Sequence, residues 1–352
     1  MGSLRIVSQG DVPRLDLDAY RSGNSRARRA VVATAKRSLE RFNFLAVDDD
    51  GLNAATRARI DEASRALFAL PAEQKRACAA GPRGHMPYGI ERALRGRRPD
   101  LKELWHLGRS APADTPRALR SFYEPDNPWP PGFDPHRAVL EAAFRRFERC
   151  ADTIAQILAE TLELPAGTFA DLARGGAHTL RLIRYPALSG PIDAGQARAV
   201  EHTGAGLFGV LPPATAPGLE VCTRDGQWQA LRGFDEAMVV TVADMMERLT
   251  DLAIPGSLHR VATPDEAKRA DRYAVVFFAN ARPDVLLAPP AALVRGRPRL
   301  RPVRADAFLR ERMTEVWLPG ASPAFRAYWR VRQRIARRLG LGADHKAHEA
   351  DL

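Results

Sequence analysis

The sequence predicts an α+β protein in which helices precede a β core and a further helix follows it. Amphipathic periodicity marks the helices, most clearly at 136–163. Between 178 and 283, short apolar runs alternate with turn residues, which is typical of a β sandwich or barrel. A basic helical pattern at 323–339 closes the chain. No stretch has the composition of a linker, so we expect a single domain over 1–352.

Three parts of this domain can be separated by their patterns. A helix-rich part covers 1–177, the β core covers 178–283, and a C-terminal helical extension covers 284–352. In the first part, helices are predicted at 25–41 and 53–69.

The apolar run 42–47 between these two helices predicts a short strand, which an acidic turn ends. Residues 81–135 are rich in Gly, Pro and Arg and predict loops with short strands. In the β core, apolar runs lie at 180–185, 207–211, 218–222, 228–231, 238–242, 258–262 and 273–279.

Composition narrows the choice of partners. Of the 352 residues, 45% are hydrophobic and 27% are charged, so a sizeable core is expected and bulk disorder is excluded. The 53 Lys and Arg residues exceed the 42 Asp and Glu residues, which gives a net charge of +11. A basic protein suits acidic partners such as phosphorylated small molecules. The basic residues are almost all Arg, scattered among Ala, Pro and Gly, so we predict no nucleic-acid partner.

The sequence lacks the patterns of a zinc cluster, a disulfide framework, a signal peptide and a membrane span. Cys78, Cys150 and Cys222 are too far apart for a close zinc cluster, and their odd number argues against a disulfide framework. The first residues lack the pattern of a signal peptide, and no apolar run approaches the ~18 residues of a membrane span. We therefore expect a soluble cytoplasmic protein with no membrane partner. The sequence contains no signal for an oligomeric state.

Two histidines border strands of the predicted β core. Side chains alternate along a strand, so His202 and Gly204 share one face while Glu201 points to the other. An iron site of two histidines and one carboxylate would need the carboxylate at such a position, with the second histidine on a distant strand, as His259 is. Glycine supplies no ligand and leaves a hole. The alternative is that both histidines are ordinary residues at strand edges.

A basic and an aromatic residue add to this pair. Arg272 opens a predicted strand, and an inward arginine at a strand start can bind a carboxylate through two hydrogen bonds. The hydroxyl of Tyr185 could hydrogen-bond the same group. Two histidines, an arginine and a tyrosine together predict a site for a diacid that chelates a metal.

Short motifs occur in a fixed order along roughly residues 8 to 320. They are Phe42-Asn43-Phe44, Ala66 to Lys75, Tyr88-Gly89, Asp100-Leu101-Lys102-Glu103, Arg181 to Pro186, His202-Thr203-Gly204, Gly218-Leu219-Glu220-Val221, Asp225-Gly226-Gln227-Trp228, Asp244-Met245, His259-Arg260-Val261 and Arg272. In this order and spacing, the chain resembles the iron(II)/2-oxoglutarate-dependent oxygenase superfamily, in its isopenicillin N synthase-like branch.

The resemblance has definite implications. It implies a double-stranded β-helix, or jelly-roll, core with an N-terminal helical part and a C-terminal helix. It implies Fe(II), 2-oxoglutarate and O2 as cofactors. His202 and His259 would be the metal ligands, and Arg272 with Tyr185 would bind the cosubstrate.

The chain departs from the family pattern at three positions. Gly204 stands where the family has a metal-binding Asp, Ala274 replaces a Ser, and Ile183 replaces an Asn. The His-X-Gly motif resembles that of the non-haem iron halogenases, which have Gly or Ala in place of the carboxylate. Chloride in the vacant position would keep the same net charge at the metal. This resemblance implies chloride as a further cofactor and Gly204 as the residue that decides the catalytic outcome.

The predicted reaction is therefore chlorination of an unactivated carbon in natural-product biosynthesis, such as that of an antibiotic. Two alternatives stay open. The first is a hydroxylase or other oxygenase with water in the vacant position. The second is a non-catalytic relative in which Gly204 marks a decayed metal site.

Four arginines lie in the segment that borders the active-site mouth in this family. Arg92 and Arg95, with Arg97 and Arg98, could bind phosphate, although a solvated loop is the alternative. Trp105 and His106 follow on the next strand, where one could face the substrate and Trp105 could instead pack in the core. The leading prediction is a small phosphorylated substrate, a nucleotide above all. A free amino acid or other small precursor is the alternative.

Overall fold

The computed structural model describes residues 4–91, 99–188, 190, 196–264 and 268–317. The predicted basic helix at 323–339 lies outside these residues, as do Arg92 and Arg95.

Helices and strands alternate irregularly along the described chain. The helices are α1 (Leu17–Ser22), α2 (Ser25–Phe42), α3 (Ala54–Ala69), α4 (Ala72–Ala77), α5 (Asp134–Glu160), α6 (Gly167–Ala173), α7 (Asp244–Leu249) and α8 (Ala305–Trp317). Short 3-10 helices lie at Gln9–Asp11, Asp50–Leu52, Arg117–Phe122 and Ala291–Leu293. The strands are β1 (Arg5–Ser8), β2 (Arg14–Asp16), β3 (Leu45–Asp48), β4 (Ala79–Ala80), β5 (Arg83–Met86), β6 (Glu103–Gly108), β7 (Thr179–Tyr185), β8 (Ala199–His202), β9 (Phe208–Leu211), β10 (Leu219–Cys222), β11 (Trp228–Arg232), β12 (Met238–Val242), β13 (His259–Val261), β14 (Arg272–Ala279), β15 (Leu286–Leu287) and β16 (Val303–Arg304).

The helices predicted within the described residues are confirmed, and their ends follow local hydrogen bonding. The side chain of Asn24 accepts hydrogen bonds from two amides in the first turn of α2, as helix N-caps do. Asn43 ends α2 with φ +62°, a left-handed conformation that Asn tolerates. The strand predicted over 42–47 is therefore shifted: Phe42 belongs to the helix and β3 begins at Leu45.

Two sheets form the β core and confirm the predicted jelly roll. One sheet has the order β1-β11-β10-β13-β8, and the other has the order β2-β3-β12-β9-β14-β7-β6-β5-β4. All seven apolar runs predicted between 178 and 283 form strands. Strands β2 to β6 extend the larger sheet with segments from the helix-rich part. The division of the chain at 178 and 284 stays a prediction.

Apolar side chains fill the space on both faces of the larger sheet. Between the two sheets, one cluster includes Val7, Val221 and Val239, and a second includes Ile183 and Val261. The opposite face of the larger sheet packs against α2, α3 and α5 in the main core. The interior between the sheets is thus shielded on one side by helices. No helix in the described ranges is long and apolar enough to cross a membrane.

Candidate active site

The two histidines singled out in the sequence lie side by side on neighbouring strands. His202 on β8 is the direct cross-strand partner of His259 on β13, and their ring centroids are 4.4 Å apart. The register shifts along this pair of strands, since Val261 pairs with Ala199 while His259 pairs with His202. This extra residue on β8 is a β-bulge, an irregularity that often re-aims a side chain beside an active site. Glu201 is exposed, as predicted.

Backbone carbonyls orient both imidazole rings. Nδ1 of His202 lies 2.8 Å from the Val200 carbonyl oxygen, and Nδ1 of His259 lies 2.8 Å from that of Ser257. Because a carbonyl can only accept, each Nδ1 carries the proton and donates it. Each Nε2 is then left with a lone pair, the form in which histidine binds a metal. Burial lowers the pKa of His202 to about 4 and that of His259 to about 3, so both rings are neutral at pH 7.

Gly204, beside this pair, supplies no side chain where a third ligand would stand. A Cβ built on Gly204 meets, apart from its chain neighbours, one described atom within 4 Å, the Cβ of Ala243 at 3.1 Å. The φ angle of Gly204 lies outside the left-handed region, so its backbone does not require glycine. Within the described ranges, no three His, Cys, Asp or Glu side chains are grouped to hold a metal ion. The residues present therefore fit a metal centre with two protein ligands.

A buried arginine and a tyrosine face each other deeper between the sheets. Arg272 pairs across strands with Tyr185, and its guanidinium carbon lies 5.0 Å from the tyrosine ring centroid. Nε of Arg272 donates to the Ala216 carbonyl at 2.9 Å, whereas Nη1 is buried and has no hydrogen-bond partner in the described part of the chain. An unpaired buried donor is costly, so this nitrogen indicates an anionic ligand. Burial also lowers the pKa of Arg272.

A cavity of about 180 Å³ opens onto this arginine. Its wall includes Arg272 and Tyr185 together with Ile183 and Ala274, the two positions where the sequence has lost a polar group. One end of a diacid would therefore meet a guanidinium in a wall whose other polar side chains are those of Tyr185, Thr215 and Asp235. This arrangement fits the distal carboxylate of 2-oxoglutarate.

A network of buried charges also lies beside the histidine pair. Nζ of Lys102 lies 2.9 Å from Glu91 and 2.8 Å from Asp100, and Arg181 lies 3.0 Å from Glu91. Burial opposes ionisation of Glu91, but Arg181 and Lys102 hold the pKa of this carboxyl well below its usual value. Asp100 also accepts a hydrogen bond from the amide of Val200, two residues before His202 on β8, at 3.3 Å. The network thus lies at the edge of the candidate metal site.

The two residues predicted to contact substrate on β6 face opposite ways. Nε2 of His106 accepts a hydrogen bond from Arg181 at 2.7 Å, so His106 belongs to the network beside the site. Burial lowers its pKa to about 3. Trp105 is fully buried in the main core, where it packs near His85. The substrate role predicted for Trp105 is therefore wrong, because adjacent residues of a strand point to opposite faces and Trp105 faces the helices.

Sequence patterns alone do not identify several residues of this site. Asp100 and Lys102 stand out only as parts of a motif, and Glu91 resembles the start of an arginine-rich loop. Arg198, fully buried beside the Ala270 carbonyl, has no distinctive pattern around it. Its position four residues before His202 was the available signal, because a charged residue so close to a candidate ligand can belong to the same site.

Comparison with known proteins is consistent with this geometry. Residues 177–281 match the family model of the 2OG-Fe(II) oxygenase superfamily, and residues 12–132 match that of the N-terminal region of non-haem dioxygenases in morphine synthesis. The chain is similar to the 2-oxoglutarate-dependent dioxygenase citB of Monascus ruber, with 31% identity over 79% of this chain and 87% of that protein. It is also similar to Validamycin A dioxygenase of Streptomyces hygroscopicus subsp. limoneus, with 29% identity over 82% and 81% of the two chains.

Solved structures are similar in fold. A full-length protein of Neurospora crassa, determined in complex with alpha-KG, superposes with a TM-score of 0.75 at 21% identity, over 86% of this chain and 96% of that chain. A 2OG-Fe(II) oxygenase family protein from Caulobacter crescentus superposes with a TM-score of 0.73 at 28% identity, over 90% and 100% of the two chains.

Proposed function

The chain belongs to the 2OG-Fe(II) oxygenase superfamily. Within this superfamily, we propose that it is a non-haem iron halogenase. Membership implies Fe(II), 2-oxoglutarate and O2 as cofactors, and a small molecule as substrate. The proposal adds chloride as a fourth component. It assigns the protein the chlorination of an unactivated carbon in a small acidic metabolite.

The observation that carries this proposal is the open position at Gly204. The histidine pair is retained and oriented, whereas the third protein ligand is missing and no other carboxylate of the described chain completes the set. A decayed site would have no reason to keep both rings neutral and hydrogen-bonded. Among the described residues other than its chain neighbours, a Cβ at 204 would meet one atom within 4 Å, the Cβ of Ala243 at 3.1 Å.

Charge balance also favours chloride in that space. Dipositive iron, the dianion of 2-oxoglutarate and one carboxylate sum to a net charge of minus one. Exchanging the carboxylate for chloride leaves this sum unchanged, whereas a water molecule would leave the site neutral. An anion is therefore the closest electrostatic substitute for the missing aspartate.

The residues of the chain have separate tasks in this reaction. His202 and His259 hold the iron, while Arg272 and Tyr185 bind the distal carboxylate of the cosubstrate. Gly204 has no side chain and so leaves room for the halide. Bound iron, with 2-oxoglutarate and O2, would supply the oxidant that removes a hydrogen atom from the substrate carbon and the chlorine atom that takes its place.

For the substrate we propose a small phosphorylated metabolite, with a nucleotide as the leading candidate. Glu91 immediately precedes the arginine-rich segment 92–98, and its buried ion pairs with Lys102 and Arg181 anchor it in the network beside the histidine pair. Arg92 and Arg95 therefore follow a residue at the edge of the site. Arginine binds phosphate through paired hydrogen bonds, so this segment suits an anionic substrate.

A hydroxylase is the second candidate. The relatives described above carry the names of dioxygenases, and one of them covers 79% of this chain at 31% identity. In this case water would occupy the position beside Gly204. Chloride dependence separates the two candidates, because only the halogenase requires the halide for its product.

The decisive experiment compares the natural enzyme with Gly204→Asp. Asp would supply the third ligand, fill the open space and add negative charge, so chlorinated product should disappear. Gly204→Ala is the matched control, since it fills part of the same space without adding a ligand or a charge. Products are identified by the chlorine isotope pattern in mass spectra, with and without chloride. Continued chlorination by Gly204→Asp would contradict the proposal, as would the absence of halide from every product of the natural enzyme.

Substrate charge is tested by offering a nucleotide and its nucleoside to the same preparation. The nucleotide should bind far more tightly, and added salt should weaken its binding, because exposed charges are screened over a Debye length of ~8–10 Å. Arg92→Gln and Arg95→Gln should reduce this preference. Equal turnover of the two compounds would rule out phosphate recognition.

A further inference from the structure

An arginine from the last described helix contacts the backbone of the His-X-Gly motif. Nη2 of Arg312, on α8, donates to the carbonyl oxygen of Thr203 at 3.2 Å. The same nitrogen lies 3.1 Å from a carboxylate oxygen of Asp244, the first residue of α7. The side chains of Arg312 and Asp244 are 4% and 1% exposed, so this ion pair is shielded from solvent.

Asp244 completes a closed ring of contacts around the motif. Its backbone N–H donates to the carbonyl oxygen of Gly204 at 2.9 Å. Two consecutive carbonyls, those of Thr203 and Gly204, are therefore held from outside the strand. The N–H of Met245 donates to the carbonyl oxygen of the next glycine, Gly206, at 2.9 Å. The segment that follows His202 is thus fixed through its backbone.

This arrangement matters because residue 204 has no side chain. In a site with three protein ligands, the bond between a carboxylate and the metal would fix the position of this residue. Glycine lacks that tether and has the largest backbone freedom of any residue. Hydrogen bonds to its peptide groups are then what keeps the position beside the histidine pair in one shape.

We propose that Arg312 is a positioning residue that keeps the coordination position beside Gly204 open to an anion. It does so by fixing the Thr203 carbonyl and by neutralising Asp244. The inference rests on the proposed halogenase function, since it assigns a task toward the same halide site.

Neutralisation of Asp244 is the second part of this task. Asp244 lies next to the candidate metal site, because its backbone N–H donates to the Gly204 carbonyl oxygen at 2.9 Å. The ion pair with Arg312 compensates the negative charge of this carboxylate. Without Arg312, a buried carboxylate lacking this cation would repel chloride. Loss of the arginine should therefore loosen the motif and weaken halide binding together.

The experiment compares Arg312→Met with a matched control, Arg248→Met. Arg248, on α7, is another buried arginine. It donates to the Arg301 carbonyl at 2.9 Å and lies over the ring of Phe308 on α8. None of the contacts described for it involves residues 202–204. Chloride is added without O2 to protein loaded with Fe(II) and 2-oxoglutarate, and binding is followed by the visible absorption of that complex. We expect the apparent Kd for chloride to rise at least about tenfold in Arg312→Met.

The control and a conservative variant separate positioning from general stability. Arg248→Met should bind chloride within about twofold of the natural protein. Arg312→Lys keeps the charge but loses the forked geometry, so its Kd should lie between the two. Thermal unfolding of each variant shows whether it is folded. If Arg312→Met does not fold, Arg312→Lys carries the test, because the loss of the forked geometry should still raise its Kd for chloride above that of the Arg248→Met control.

A second measurement needs no chloride. Hydrogen–deuterium exchange of the peptide containing the Asp244 amide should be faster in Arg312→Met and unchanged in Arg248→Met, since the bond to Gly204 is loosened only in the first. Unchanged exchange and unchanged chloride Kd in a folded, iron-loaded Arg312→Met would overturn the inference. A natural protein whose absorption does not respond to chloride would instead overturn the proposed function, while faster exchange would still support the backbone contact.

Discussion

Two regions of the β core lack a polar group that the family pattern has, with different consequences. The metal end is the histidine pair with Gly204, and the cosubstrate end is Arg272 with Ile183 and Ala274. At the metal end, Gly204 removes a carboxylate, yet both histidines stay oriented by backbone carbonyls. At the cosubstrate end, Ile183 and Ala274 stand beside Arg272, whose buried Nη1 has no partner among the described residues. The first loss opens a position for a new ligand. Under the proposed function, the second makes recognition of the cosubstrate depend mainly on Arg272.

The comparison teaches that removing a polar residue has an effect set by what remains around it. Backbone hydrogen bonds preserve the metal end, since they do not depend on the identity of residue 204. No comparable support replaces the lost hydroxyl and amide beside Arg272 in the described part of the chain. Variants at the metal end should therefore decide which reaction occurs, whereas variants at the other end should change the affinity for 2-oxoglutarate.

The largest effect is expected at the histidines. His202→Ala or His259→Ala should abolish turnover and iron loading, because the site has only two protein ligands and one imidazole cannot hold the metal. Metal analysis of the purified variants gives the iron content directly. His136→Ala, at a half-buried position near the start of α5, should load iron normally. Full iron loading by both site variants would show that the histidine pair does not hold the iron.

A large loss of affinity is expected at the other end. Arg272→Leu removes the cation that faces the cosubstrate, and losing one partner of a buried charge pair costs about 3–5 kcal/mol. The Kd for 2-oxoglutarate, measured by calorimetry without O2, should rise by two orders of magnitude or more. Arg184→Leu is the control, since Arg184 lies on β7 and pairs with Asp271 at 2.8 Å. A normal Kd for Arg272→Leu would show that the diacid binds elsewhere.

A smaller gain sharpens the comparison. Ala274→Ser returns a hydroxyl to the cavity wall, and one new hydrogen bond contributes about 0.5–1.5 kcal/mol. The Kd for 2-oxoglutarate should therefore fall by about two- to tenfold. Chloride affinity should not change, because residue 274 lies at the other end of the space. If the Kd for 2-oxoglutarate stays constant, the wall at 274 does not touch the cosubstrate.

The smallest effect is expected for Gly204→Ala on stability. The new methyl would lie 3.1 Å from the Cβ of Ala243, a tight contact that a small shift relieves. Reduced backbone freedom in the unfolded chain offsets part of this cost, since Gly→Ala at a compatible conformation stabilises by about 0.4–1 kcal/mol. The free energy of unfolding, measured in urea, should differ by less than about 1 kcal/mol from that of the natural protein. A large destabilisation that Ala243→Gly relieves would assign the glycine to packing.

The strands of the β core could be predicted because their patterns are local. Each apolar run between 178 and 283 forms a strand, whereas the strand predicted at 42–47 is displaced by the left-handed conformation of Asn43. Strand β1 could not be predicted, because its four residues have no distinctive pattern and pair with the distant strand β11. Short strands of this kind depend on their partner for stability.

The candidate site could be predicted in part. The sequence pointed to His202 and His259 as a pair, and the structure brings them to 4.4 Å between ring centroids. It could not determine which face of β6 would be interior, so substrate contact and core packing both stayed open for Trp105, and the structure shows core packing. Lys102 and Glu91 could not be recognised as a buried ion pair, since either residue alone would be expected at the surface.

The sequence by itself determined the identities on which the chemistry depends: two histidines, an arginine, a tyrosine and a glycine in place of a carboxylate. It also determined the helices α2, α3 and α5 and the seven strands formed by the apolar runs of the β core, because hydrophobic periodicity is a local property. Only the tertiary structure decided that a β-bulge aims His202 inward and that Arg312 holds the carbonyl of Thr203, 109 residues earlier in the chain. Contacts between distant residues depend on how the elements pack, and no local pattern records them.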